Sequence, residues 1–241
     1  MFNKVNGIHY ELIGESSSKK NLVFVHGSGC NHRFLKPLAK ELTEYNCYLI
    51  DLPDHGESDN RNCTKVEDYV DAVAEFVSNL EDVTIIGHSL GGTICVGVAA
   101  KCIPSVKKNV VISSGARFYT FDQRIYDMVN NNKVNWEYLF ECLGRYDDID
   151  PEALKLDPDE IMLKDFNIDI ALDLEHVMSD INIPTLIMVS EDDILTIPEF
   201  SNRMHEGIKG SKLVMAPDRR HLLPIAKPTY VAGLIREFVN E

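Results

Sequence analysis

The 241-residue sequence predicts an α/β protein: a mostly parallel central sheet with helices on both faces and an inserted helical segment. Three observations carry this expectation. Continuous apolar runs alternate with stretches whose apolar residues recur at helical spacing. That rhythm stops over residues 118–182, and it resumes from 183 to the C-terminus. Residues 1–117 and 183–241 are therefore assigned to the sheet core, and residues 118–182 to a helical cap inserted between two of its strands.

The elements follow in order. "NGIHYELIG" alternates apolar and polar residues behind an Asn-Gly pair, the signature of an N-terminal hairpin. "NLVFVHG" is apolar throughout, as a strand buried on both faces must be. Phe34, Leu35, Leu38, Leu42 and Tyr45 recur at helical spacing, and "CYLIDLP" is a second buried strand. Thr64-Lys65-Val66-Glu67 has the form of a capping box. Behind it, Val66, Tyr69, Val70, Val73, Phe76 and Leu80 mark an amphipathic helix. "VTIIG" is a third buried strand, Leu90 to Ala100 a nearly all-apolar helix, and "NVVISSG" a fourth strand. After the insertion come the strands "PTLIMVS" and "SKLVMAP", then a closing helix marked by Val231, Leu234, Ile235 and Phe238. Within the insertion, "VNWEYLFECLG" and "DPDEIMLKDF" read as helices. Their Trp136, Tyr138, Phe140, Met162 and Phe166 are expected to face the sheet and roof a pocket.

Composition excludes several classes. Hydrophobic residues make up 44% and charged residues 26%, the balance of an ordinary globular chain. No apolar run approaches the roughly 18 residues of a membrane span. "MFNKVNGIHYELIG" has no signal-peptide core, so a cytoplasmic location is expected. Cys30, Cys47, Cys63, Cys95, Cys102 and Cys142 form no CxxC pair and no zinc-spaced cluster, so neither a metal nor another cofactor is expected and the thiols should be free and mostly buried. The net charge of −14 disfavours nucleic acid and other polyanionic partners. Residues 118–182 hold 16 acidic and 5 basic side chains, hence −11, which leaves −3 for the rest of the chain. Most of those acids are expected on a solvated outer face. Oligomeric state has no signature in the sequence.

The chemistry centres on "GHSLGG". Gly87-His88-Ser89-Leu90-Gly91 lies between a strand and a helix, and the glycines leave room for a sharp turn that exposes Ser89. The helix that follows aims its free N–H groups at the same place. A nucleophilic serine needs a base, and His221 follows the last strand, on the rim shared by the carboxyl ends of parallel strands. His88 is expected to point away from the site. His26 and His55, in loops after strands, can line it. His9, His32, His176 and His205 have surface-like contexts. An acid should follow another strand end, where "PTLIMVSEDD" offers Glu191, Asp192 and Asp193. Two backbone N–H groups are needed for an oxyanion. Leu90, the residue after the nucleophile, provides one. Ser28, in the "HGSG" loop after "NLVFV", provides the other.

These motifs together, "HGSG" at 26–29, "DLPDHGES" at 51–58, "GHSLGG" at 87–92 and "RHLLPIAKP" at 220–228, resemble the α/β-hydrolase superfamily in its capped serine esterase and lipase-like branch. The resemblance implies the α/β-hydrolase fold, Ser89 as nucleophile and His221 as base. The family acid stands three residues after a strand-ending glycine. Ser190 replaces that glycine, and the third residue on is Asp193, with Asp192 as the alternative. Asp54 replaces the glycine that ordinarily precedes the loop histidine, which leaves His55, Gly56 and Ser58 as structural. The implied activity is cleavage of a small or medium carboxylic ester through a Ser-His-Asp triad and an acyl-enzyme. The same triad also serves thioester, carbon–carbon bond, perhydrolase and lyase chemistry, and a small-molecule receptor on this fold is the alternative of another class.

Overall fold

The computed structural model describes residues 3–14, 17–144 and 148–241. β1 (Lys4–Val5) and β2 (Ile8–Ile13) form the expected hairpin. Asn6 and Gly7 join them with φ of 51° and 78°, the positive pair that a type I′ turn requires. The chain continues through β3 (Asn21–Val25), α1 (Lys36–Lys40), β4 (Asn46–Ile50), α2 (Val66–Val77), β5 (Val83–His88), α3 (Leu90–Ala100) and β6 (Val106–Ile112). Next come α4 (Gln123–Asn130), α5 (Trp136–Leu143) and α6 (Asp159–Ala171). β7 (Thr185–Ser190), α7 (Pro198–Gly207), β8 (Lys212–Ala216), α8 (Leu223–Ala226) and α9 (Pro228–Asn240) complete it.

The strand order is β1-β2-β4-β3-β5-β6-β7-β8. β2 runs antiparallel to β4, and every pairing from β4 to β8 is parallel. Side-chain alternation explains why the inner strands β3, β4, β5 and β7 read as nearly unbroken apolar runs. Leu22 and Phe24 of β3 pack with Leu38 of α1 and Ile235 of α9. Val23 and Val25 go to the opposite face, with Val73 of α2 and Ile94 of α3. Both faces are covered, so neither set of alternate residues can be polar. No helix among the described residues is long and apolar enough to cross a membrane.

One detail differs from expectation. α2 begins at Val66, so its third residue is Asp68, and Asp68 rather than Glu67 closes the cap. Its carboxylate accepts the Thr64 N–H at 2.9 Å and the Lys65 N–H at 3.2 Å. Of the insertion's acids, Asp165 and Asp169 of α6 are buried. α4, α5 and α6 share an apolar cluster that includes Ile125, Met128, Tyr138, Leu139 and Phe166. Residues 145–147 of the insertion lie outside the described residues. From Leu172 on, the chain rejoins the sheet, with Leu174, Met178 and Ile181 packed on the α2–α3 side.

Candidate active site

Ser89 stands between β5 and α3 with φ 54° and ψ −126°, a conformation that a side chain beyond glycine adopts only under constraint. The constraint is close packing. A Cβ on Gly87 would lie 2.1 Å from the Gly91 carbonyl oxygen, and one on Gly91 would lie 2.2 Å from that of Val25. The Ser89 N–H donates to the Ile112 carbonyl at 3.1 Å. The Ser89 carbonyl accepts the Gly92 N–H at 2.8 Å and the Ser114 hydroxyl at 2.7 Å. Ser114, which the motif reading missed, thus steadies the turn from β6.

His221 lies in a short helical turn after β8, reached through Asp218, Arg219 and Arg220, which all have positive φ. Its Nδ1 is 3.0 Å from Asp193 Oδ2. Asp193 Oδ1 in turn accepts the N–H groups of Leu195 and Thr196 at 2.9 and 3.0 Å. The Thr196 hydroxyl lies 2.9 Å from Asp193 Oδ2, 2.9 Å from the Ser113 carbonyl and 3.1 Å from His221 Nδ1. Asp192, the alternative acid, is exposed and accepts the Arg220 N–H at 2.9 Å, while the His221 ring is paired with Asp193. Thr196 was not singled out in the sequence, although a hydroxyl three residues after an aspartate is a recurrent local hydrogen-bonding pattern.

On the other side, the loop after β3 carries Ser28. No acceptor among the described residues takes the N–H of Ser28 or that of Leu90, the first residue of α3. His26 does not line the cavity. The Leu52 N–H donates to its Nε2 at 3.0 Å, so Nδ1 holds the proton and donates to the Gly27 carbonyl at 2.9 Å. Burial, with the charge of His55 adding to it, pushes His26 down to about 4, and the ring is neutral. His55 is also structural: its Nε2 lies 2.8 Å from Asp165 Oδ2. Burial opposes charging of both, yet their mutual attraction raises His55 and lowers Asp165 from their ordinary values.

His88 does not point elsewhere. It is buried, lines the cavity, and donates from Nε2 to the His221 carbonyl at 2.8 Å. The two rings are 4.6 Å apart, and Phe34 stacks on His88 from 5.0 Å. Burial, and the proximity of His221, hold His88 well below the ordinary histidine range. It is therefore a neutral donor that fixes the backbone of His221.

Ser89, His221, His88 and Ser28 open onto one cavity of about 70 Å3. Its other walls are apolar and include Phe34, Trp136, Leu139, Met162, Phe166 and Leu195. Of the aromatic and Met residues expected to form a roof, Trp136, Met162 and Phe166 do so. Tyr138 is buried within the insertion's own cluster, and Phe140 is 43% exposed.

His9 and His32 are not surface residues either. They flank Asp51, with Nδ1–carboxylate distances of 2.8 and 2.9 Å, and the three groups converge within 4.8 Å as a metal site would require. These are hydrogen-bond lengths, and Asp51 also accepts the N–H groups of His32 and Glu57 at 2.7 and 3.0 Å. The carboxylate is saturated by donors, so the cluster is a hydrogen-bonded staple between β2, β4 and the loop after β3. Although burial resists it, these donors, His32 foremost, hold Asp51 below the usual carboxylate range.

Residues 22–234 match the model of the Alpha/beta hydrolase family. The chain belongs to that family. A lipase-esterase related protein from Clostridium acetobutylicum superposes with a TM-score of 0.91 at 35% identity, covering 96% of this chain and 99% of the other. A pimeloyl-[acyl-carrier protein] methyl ester esterase of Neisseria meningitidis serogroup C is 24% identical over 92% of this chain and 94% of its own. A proline iminopeptidase of Saccharolobus solfataricus is 26% identical over 97% and 89%.

The two departures of this alpha/beta hydrolase from its family's motifs have local explanations. Ser190, in place of glycine, donates its hydroxyl to the Asp218 carbonyl at 2.9 Å and so holds the loop that carries His221. Asp54, also in place of glycine, has φ 70° and keeps the left-handed conformation of that position. Its carboxylate accepts the N–H groups of Arg61, Asn62 and Cys63 and pairs with Lys164 at 2.9 Å. Against the effect of burial, Lys164 and these N–H groups hold Asp54 at about 2.

Proposed function

We propose that this hydrolase is a serine esterase for small, uncharged carboxylic esters, with Ser89, His221 and Asp193 as its triad, the N–H groups of Leu90 and Ser28 as its oxyanion donors, and residues 118–182 as its cap. One observation carries the reading: Ser89 and His221 open onto the same apolar cavity, and the hydrogen bond of His221 to Asp193 leaves Nε2 as the ring nitrogen available for catalysis. In that state Nε2 takes the Ser89 proton as Oγ bonds to the ester carbonyl carbon. Negative charge moves to the carbonyl oxygen, which the two N–H groups stabilise. As the tetrahedral species collapses, the carbon–alkoxy bond breaks and His221 gives its proton to the departing alcohol. Water, deprotonated by His221, then attacks the acyl group. The Ser89–acyl bond breaks, the proton returns to Ser89, and the acid leaves.

Cavity size and lining support the substrate class. About 70 Å3 is half of the roughly 150 Å3 that admits a benzene ring, which suits an acyl group of a few carbons. No Asp, Glu, Lys or Arg lines it among the described residues, so nothing would stabilise a charged acyl chain there. The esterase and lipase relatives agree with this chemistry. Six free cysteines, five of them buried, suit a reducing cytoplasm.

The test is a series of p-nitrophenyl esters from acetate to dodecanoate, with wild-type protein and Ser89→Ala, alongside labelling by a fluorophosphonate. Turnover concentrated on the short esters and lost with the label in Ser89→Ala is the expected result. Undiminished turnover by Ser89→Ala would sink the reading.

A further inference from the structure

Helix α6 of the insertion and the segment leading into it are bound to the loop after β3 at three aspartates, Asp157, Asp165 and Asp169. The Asp157 N–H, just before α6, donates to the Gly29 carbonyl at 2.9 Å. Asp165 Oδ2 accepts the Gly29 N–H at 2.9 Å. One turn later, Asp169 Oδ2 accepts the Ser28 hydroxyl at 2.7 Å. The first two contacts belong to well-satisfied groups. Asp165 also binds His55 at 2.8 Å and the Tyr69 hydroxyl at 2.9 Å, and Asp157 binds the Asn31 side chain at 3.0 Å and the Gly56 N–H at 2.8 Å.

Asp169 differs from both. It is 3% exposed, its Oδ1 has no hydrogen-bond partner, and the Ser28 hydroxyl is the partner of its Oδ2. A buried carboxyl with one oxygen orphaned costs stability, so a contribution to folding does not account for it and its remaining contact becomes the informative one. That contact ends on Ser28, whose N–H has no acceptor among the described residues and which lines the cavity beside Ser89.

We propose that Asp169 is a positioning residue for ester hydrolysis: by holding the Ser28 hydroxyl from α6, it fixes the direction of the Ser28 N–H toward the forming oxyanion. The proposal rests on the esterase reading above. The groups around the contact agree with it. Burial first, and with it the charge of Asp165, push the Asp169 carboxyl well above the usual carboxylate range, against the Ser28 hydrogen bond, which favours the charged form. His55 and Tyr69 are both engaged by Asp165, and Lys164 is paired with Asp54. The shift favours the neutral form, in which the carboxyl oxygen still accepts the hydroxyl hydrogen bond, as an amide oxygen does, without adding negative charge beside the oxyanion. The insertion then has a second task besides roofing the cavity, because it sets the geometry of the loop that stabilises the transition state.

The experiment compares wild type, Ser89→Ala, Ser28→Ala, Asp169→Ala, Asp169→Asn and the double variant Ser28→Ala/Asp169→Ala on p-nitrophenyl acetate, with the melting temperature of each. Ser28→Ala keeps the N–H and removes only the tether. Expected are kcat losses of about tenfold to a hundredfold in each alanine single variant, with KM within about twofold. The double variant should be no worse than the worse single one, because both changes cut the same link. Asp169→Asn should restore most of the lost kcat. Unchanged kcat in the single variants, losses that multiply in the double, or a folded Asn variant as impaired as Ala would each overturn the proposal. If Asp169→Ala does not fold, Ser28→Ala is compared with Ser28→Ala/Asp169→Asn: equal kcat supports the tether, and a further loss overturns it. Failure of the esterase reading looks different, since wild type would then have no turnover that depends on Ser89.

Discussion

Asp193→Asn is the sharpest probe of the candidate triad. Asp193 Oδ1 accepts two backbone N–H groups, from Leu195 and Thr196, so the amide oxygen of an asparagine must stay on that side. Its NH2 then faces His221 Nδ1, 3.0 Å away, as a donor. The imidazole has to present Nδ1 as an acceptor and carry its proton on Nε2, which leaves nothing to take the proton of Ser89. The charge is lost as well. At an effective dielectric constant of about 20, unit charges 3.0 Å apart attract by about 5 kcal/mol, or roughly four decades in rate, as an upper bound for stabilising the imidazolium. We expect kcat/KM on p-nitrophenyl acetate to fall by about a thousandfold to ten-thousandfold, with the melting temperature little changed. Asp192→Asn keeps an oxygen for the Arg220 N–H and should lose less than about fivefold. An Asp193→Asn enzyme within tenfold of wild type, or an equal loss at Asp192, would refute the assignment of the acid.

Two further outcomes follow from the geometry. Burial lowers His26 from 6.5 to about 4, so between these pH values the unfolded chain binds the extra proton. The stability contributed by neutral His26 is complete above pH 6.5 and is lost as pH falls toward 4, about 3 kcal/mol in all. Urea unfolding from pH 7 to 4 should therefore show a steeper loss in wild type than in His26→Gln, and parallel curves would contradict it. Trp136 walls the cavity, so Trp136→Ala should shift the octanoate-to-acetate ratio of kcat/KM upward by about tenfold, measured on the same ester series. An unchanged chain-length profile would place the acyl group elsewhere.

β3, β4, β5 and β7 were legible because they are buried on both faces and so had to be almost entirely apolar, whereas β2 was legible from its alternation. Ser89 was legible because the steric demands at Gly87 and Gly91 are written in the sequence as glycines. The Ser28–Asp169 and Gly29–Asp165 contacts were not legible. Each joins residues 141 and 136 positions apart, and an aspartate on a helix with a mixed pattern looks like a surface residue until its partner arrives. The same reason hid His9 and His32, whose burial depends on Asp51 lying between them. His88 was misjudged because its direction is set by the His221 carbonyl, 133 residues away. Phe140 and Trp136 share one helix face with rings 5.9 Å apart, yet only Trp136 reaches the cavity, a matter of where the helix crosses the rim.

The bonds from α6 to the loop after β3 also impose an order in time. During synthesis β3 and its loop emerge more than a hundred residues before Asp165 and Asp169. Closing so long a chain segment is among the slow, non-local steps of folding. A nascent chain with Ser89 already on its elbow would still lack the Asp165 and Asp169 contacts that hold the Ser28–Gly29 loop. On the proposed assignment, completion of the site waits for the C-terminal half of the chain, with Asp165 and Asp169 first and Asp193 and His221 after them.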